Sequence, residues 1–169
     1  MQKAEVFNKM AILSTGKEMR KWETGAVRDN AEGKGRCDLL PHKQIGEVLR
    51  DQFLINVGKY VYSGDKSYIH KALNIFVKKH FGNWNTALLE VSIHYEEGAT
   101  KYSARNYELG IPLHCFIDSG IRHYLKHLRG DNEERHDRAV LWNFISLLWT
   151  QDNHSKLCDL PFADKGEKS

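Results

Sequence analysis

The apolar positions of this chain recur mostly at helical spacing. Ile45, Val48, Leu49 and Phe53 mark an amphipathic helix over about 41–57, with Pro41 suited to its first turn. Ser63-Gly64-Asp65 is a break, and Ile69, Ala72, Leu73, Phe76 and Val77 carry a second helix over Lys66–Phe81, ended by Gly82-Asn83. A third helix is predicted over 84–101 and a fourth from Pro112 to Leu128, terminated by Gly130. A final helix over 133–150 is capped by Asp131-Asn132. Runs of alternating polarity are scarce, so the fold class is all-α, a helical bundle.

Both flanks read differently. Residues 1–24 hold scattered apolar positions (Val6, Phe7, Met10, Ile12, Leu13), then a basic stretch through Lys17, Arg20 and Lys21, and form an N-terminal extension. Residues 25–38 are glycine-rich and charged with no regular period, and read as a loop or flexible arm. The folded domain spans 25–150, and the tail from Gln151 onward, which ends in Lys165–Ser169, is expected to fray.

Composition narrows the class without naming a chemistry. The 169 residues are 41% hydrophobic and 28% charged, which is ordinary for a soluble single domain. A formal charge of +3 is too small to argue for a nucleic acid polymer. Three cysteines without CxxC spacing point to a reducing compartment, and no apolar run suits a signal peptide or membrane span. A cytoplasmic location is expected.

The informative residues are polar ones on faces that should be apolar. Glu90, His94, Glu97 and Lys101 share one stripe of the third helix, with Glu96 about 100° from Glu97. Asp118 lies on the apolar side of the fourth helix with Cys115, Ile121 and Leu125, and Arg122 follows one turn later. That carboxylate is neutralised either by Arg122 or by a cation. His136 and Asn143 stack with Ala139, Val140 and Leu147 in the last helix. A lone histidine there is more often a satisfied core residue, and the Glu/Lys stripe reads equally as a solvated face. Taken together, the three faces imply a bundle centre that is acidic at one end. Hard oxygen ligands there suit Mg²⁺, with Mn²⁺ as the alternative, and Lys101, Arg105 and Arg122 suit phosphate.

Familiar signatures are missing: no GxxxxGK[ST] loop, GxSxG, HExxH or CxxC pair occurs. His136-Asp137 raises an HD-type phosphohydrolase, which would recruit His114 or His123 and Asp152 or Asp159. Asp137, however, is placed about 100° from His136, toward solvent.

Longer motifs carry a resemblance. Glu23-Thr-Gly-Ala-Val-Arg28-Asp29, then Glu32-Gly-Lys34-Gly-Arg36-Cys-Asp38-Leu-Leu-Pro41, resembles the start of the dATP/dGTP diphosphohydrolase family found largely in bacteriophages. His94-Tyr-Glu-Glu97-Gly-Ala-Thr-Lys101-Tyr, Arg105-Asn106-Tyr, Gly110-Ile-Pro112, Phe116-Ile-Asp118-Ser119, Arg122-His123 and His136 through Trp142-Asn143 continue it, over roughly 22–150. That family looks like a branch of the MazG-like all-α nucleoside triphosphate pyrophosphatases. The resemblance implies Mg²⁺-dependent cleavage between the α and β phosphates of a purine (deoxy)nucleoside triphosphate, giving monophosphate and pyrophosphate. It also implies a homodimer or homotetramer. Where such enzymes carry ExxE and ExxD, this chain reads His94-x-x-Glu97 and Cys115-x-x-Asp118. Glu97 and Asp118 are then the expected metal ligands and catalytic carboxylates, with Glu90, Glu96 or His94 completing the shell or activating water. Arg28, Lys34, Arg36, Lys101, Arg105, Asn106, Arg122, His123, His136 and Asn143 are expected to bind or orient substrate. The alternatives are the HD-type triphosphohydrolase and a non-catalytic helical module that binds nucleotide or a partner protein.

Overall fold

The structure is a computed structural model that describes residues 9–12 and 18–165. Val6, Phe7, Leu13 and Lys17, and residues 166–169 of the tail, lie outside the described residues, as do the side chains of Met10 and Ile12. Among the described residues, six α-helices follow a small antiparallel sheet of order β1-β2-β3, formed by Lys9–Ile12, Glu18–Lys21 and Val27–Asp29. The helices are α1 His42–Leu49, α2 Gln52–Ser63, α3 Lys66–His80, α4 Trp84–Lys101, α5 Leu113–Arg129 and α6 His136–Asn153. The fold is mostly helical, consistent with the expected all-α, MazG-like bundle. The largest helix–helix interface joins α5 to α6, while α1–α2 and α2–α3 form successive hairpins.

Local chemistry explains most of the boundaries. Asp51, Asp65 and Asn83 each accept a hydrogen bond from the backbone N–H of Leu54, Ser67 and Thr86, so α2, α3 and α4 begin at side-chain caps. Gly130 ends α5 at φ 87°.

Three departures from the sequence reading have physical causes. The single helix expected over 41–57 is two, because Arg50 adopts a left-handed conformation (φ 56°) and Asp51 restarts the chain as a cap. The last helix starts at His136 rather than 133, because Asp131 pairs with Arg129 instead of capping. The stretch 25–38 is not wholly irregular: Val27–Asp29 pairs with Met19–Lys21 in β3. The alternation over so few residues is too short to register as a strand pattern.

The core clusters around Phe53, which stacks on Tyr124 at 4.1 Å between centroids and meets Phe144 edge-on at 5.4 Å. The segment after α6 docks rather than fraying over its described part: Leu160 is buried and Phe162 packs edge-on against Tyr60. Among the described residues, no helix is long and apolar enough to cross a membrane.

Two glycines set helix spacing. A Cβ at Gly58 would stand 2.3 Å from the backbone nitrogen of Lys43, and one at Gly120 would stand 2.8 Å from the Phe144 ring. The first obstacle is backbone and has no rotamer to escape through. Gly58→Leu should therefore destabilise the fold by roughly 1–3 kcal/mol or more, through forced separation of α1 and α2. A urea midpoint equal to that of the unaltered chain would contradict this close approach.

Candidate active site: a basic cavity between the sheet, α4, α5 and α6

The site begins with a buried carboxylate. Asp118 is 3% exposed on the inner face of α5. Its Oδ2 accepts from the Arg122 guanidinium at 2.5 Å, and its Oδ1 accepts from the backbone N–H of Cys37 at 2.7 Å. Arg122 continues outward, donating to the backbone carbonyls of Gly35 at 3.0 Å and Lys34 at 3.4 Å. One i,i+4 pair thus ties the glycine-rich segment to α5.

Arg28 on β3 is the second anchor. It donates to the Cys115 carbonyl at 3.2 Å and to Asn143 Oδ1 at 2.9 Å, with its guanidinium about 5 Å above the rings of Phe116 and Trp142. Asn143 in turn donates to the Ala139 carbonyl. Asn106 fixes the strand from its other side: its amide accepts from Val27 N–H at 2.9 Å and donates to Val27 C=O at 2.8 Å, in the manner of a neighbouring strand.

These anchors enclose a cavity of about 310 Å³. Arg20, Arg28, Lys34, Lys101, Arg122 and Lys126 line it, against three carboxylates, Asp29, Glu97 and Glu134. His94, His123, Ser119, Asn143, Tyr102 and Trp142 complete most of the wall. Of the predicted residues, the fold therefore brings together Arg28, Lys34, His94, Glu97, Lys101, Arg122, His123 and Asn143.

The others are placed elsewhere. Glu90 accepts from Arg138 at 2.8 and 2.6 Å, with Arg135 at 3.2 Å. Glu96 is exposed and does not line the cavity. Arg36 is held by Asp38, and Arg105 by Glu108, both outside the wall. His136 sits behind it, 2% exposed, with its Nδ1 2.9 Å from that of His123. Asp118 contributes through Arg122 rather than by facing the cavity.

Sequence reading missed Arg20, Asp29, Tyr102, Ser119, Lys126, Glu134 and Trp142 as site residues. A signal for two of them was available. Ser119, Arg122, His123 and Lys126 fall at i, i+3, i+4 and i+7, one polar stripe of α5.

Electrostatics follow from this crowding. Burial works against the Asp29 carboxylate, yet the Lys101 ammonium, 2.5 Å away, holds it below the ordinary range. Its second oxygen, Oδ1, is buried without a hydrogen bond. Burial pulls the His94 imidazole down from 6.5, against the pull of Glu97 at 3.6 Å and with help from Arg28 and Arg138. This favours the neutral imidazole, whose free ring nitrogen can accept a proton.

The donor set does not fit an octahedral oxygen shell of the kind Mg²⁺ demands within one chain. Glu90 is engaged by two arginines, Asp118 by Arg122 and a backbone N–H, and Glu97 is the one predicted carboxylate ligand that lines the cavity. Among the described residues, the groups spaced to hold a metal are His123, Glu134 and His136, and Asp131, Glu133 and His136. The HD set is not gathered either. His114 pairs with Asp159, and Asp137 with Arg135 and the Arg138 N–H.

The Asp118–Arg122 pair yields a direct expectation. Asp118 is the more shielded partner, so Asp118→Ala leaves the Cys37 N–H without its acceptor and Arg122 with backbone carbonyls alone, and should destabilise the chain by about 1–3 kcal/mol in chemical denaturation. A change below about 0.5 kcal/mol would mean that water, not Asp118, neutralises Arg122.

Comparison with known proteins gives one match. No curated protein and no solved structure matches the chain. Residues 84–159, from the start of α4 through α6 into the docked tail, match the family model described as dATP/dGTP diphosphohydrolase, N-terminal, so the resemblance read from the motifs is supported over that stretch.

Proposed function

We propose that the chain is a (deoxy)purine nucleoside triphosphate pyrophosphohydrolase, cleaving dATP or dGTP to the monophosphate and pyrophosphate. The observation that carries this reading is the cavity: six cationic side chains against three carboxylates, with Trp142 and Tyr102 in the wall. A triphosphate is the common small ligand whose charge and length suit such a concentration of donors. The family match over 84–159 points to the same substrate class.

The reading assigns a role to each part of the wall. Arg28, Lys34, Arg122 and Lys126 hold phosphate oxygens, and Arg28 and Arg122, fixed in advance by their hydrogen bonds, favour charge that grows in the transition state. The unpartnered Asp29 Oδ1 accepts from a sugar hydroxyl or base N–H. Trp142 and Tyr102 present ring surface to the purine. Glu97 accepts the proton of a water attacking the α-phosphorus, with neutral His94 beside it to take that proton onward. The new bond is water oxygen to α-phosphorus. The bond broken joins the α-phosphorus to the bridging oxygen, which departs with pyrophosphate.

Incubation with each dNTP and NTP, with Mg²⁺ or Mn²⁺ supplied, tests the reaction. Monophosphate plus pyrophosphate is expected from dATP or dGTP. Deoxynucleoside plus triphosphate would instead favour the HD-type reading, and no turnover would favour a nucleotide-binding module. Glu97→Gln should lower kcat by about 100-fold or more while leaving the helical signal intact. The pH profile follows from His94. Protonation removes its accepting lone pair, so activity should fall as pH drops below the ordinary histidine value of 6.5. His94→Gln should abolish that acid limb; an unchanged limb would assign it to another group.

A further inference from the structure

His123 of α5 and His136 at the start of α6 face one another, their Nδ1 atoms 2.9 Å apart. Glu134, from the segment joining the two helices, places Oε1 3.6 Å from each of those nitrogens. The three donor atoms form a compact triangle. Donors bound at about 2.0–2.2 Å to one ion stand roughly 3.0 Å apart at right angles and roughly 3.4 Å apart at tetrahedral angles. Edges of 2.9, 3.6 and 3.6 Å bracket those spacings.

Hydrogen bonding alone leaves this cluster unbalanced. A single proton lies between the two Nδ1 atoms, so one of them donates and the other accepts. If His136 donates, its Nε2 is a bare lone pair beside Glu133 Oε1, 3.2 Å away, and two acceptors face each other. If His123 donates, His136 carries its proton on Nε2, where Glu133 Oε1 stands 3.2 Å away but out of line for a hydrogen bond. In neither case does Glu134 gain a donor from the pair. A divalent cation removes the conflict by taking both Nδ1 lone pairs and one Glu134 oxygen. His136 then presents its Nε2–H towards Glu133, as a metal-bound imidazole ordinarily presents its second nitrogen to a carboxylate.

We propose that His123, Glu134 and His136 form a binding site for a first-row transition-metal dication of the zinc type. Two imidazole nitrogens and one carboxylate oxygen suit Zn²⁺, whereas Mg²⁺ requires a shell of oxygens. The surrounding charge permits it, since Lys126 is paired with Glu133 at 2.5 Å. His123 and Glu134 also line the cavity. The remaining coordination position therefore opens on it, where, if the pyrophosphohydrolase reading holds, a phosphate oxygen or water would complete the shell.

The test uses the metal alone, so it stands apart from any result with nucleotides. The chelator-stripped chain is titrated with Zn²⁺ by calorimetry and with Co²⁺ by visible absorption. One equivalent bound, with the d–d bands of four- or five-coordinate cobalt, is expected. Glu134→Gln, on a half-exposed side chain, and His123→Ala should each weaken binding more than about 100-fold, and Glu133→Gln by about 10-fold. His80→Ala provides the control, because the His80–His127 pair has a similar spacing, 3.0 Å, and belongs to none of the metal-competent groups among the described residues. Absence of stoichiometric binding to the unaltered chain would overturn the site, as would binding that survives Glu134→Gln or is lost equally in His80→Ala.

Discussion

The ion pair between Asp118 and Arg122 is the contact on which the site depends, because it resolves two difficulties together. A carboxylate on the inner face of α5 needs a partner, and a glycine-rich segment without regular structure needs an anchor. Asp118 takes the Arg122 guanidinium on one oxygen and the Cys37 N–H on the other, while Arg122 reaches the carbonyls of Lys34 and Gly35. Arg28 and Asn106 do the same for β3, locking it to α5, α6 and the turn before α5. The segment from Val27 to Cys37 is thereby held over the bundle as a wall.

The consequence is electrostatic. Cations that would otherwise spread over the surface converge on one cavity, while Glu90 is withdrawn by Arg138 and Asp118 by Arg122. The excess of positive charge favours a polyanion, and the low exposure of Arg28, Asn143 and Ser119 keeps those groups fixed before it arrives. The acidic bundle centre expected from the sequence is in this chain a basic one. The same helical spacing that brings Glu97 and Lys101 together also brings Ser119, Arg122 and Lys126 to face them.

The helices were largely legible because their apolar residues recur over three or more turns, as in Ile69 to Val77, and because Gly82 and Gly130 punctuate them. Local backbone choices were not. Nothing in the pattern of Ile45 to Phe53 announces that Arg50 turns left-handed, and three residues of β3 are too few to show alternation. Part of the candidate site could be picked out from polar residues at helical spacing, His94, Glu97, Lys101, Arg122 and Asn143, with Arg28, Lys34 and His123 from the motif resemblance. The pairing of each was hidden, since whether Asp118 meets a cation or Arg122 depends on side-chain direction. Trp142 and Tyr102 entered only within the motif resemblance, and Glu134 only within the helix expected over 133–150, until the fold set them beside one cavity.

Under the proposed function, this wall and the α4–α5 stripe jointly hold a nucleoside triphosphate. Amide hydrogen exchange with and without a non-hydrolysable α,β-methylene analogue of dATP or dGTP tests it most directly. Slowed exchange concentrated in residues 27–37, 94–102 and 115–126 is the predicted result. Unchanged exchange there, or protection confined to the α1–α2 hairpin on the far side of the sequence motifs, would contradict it.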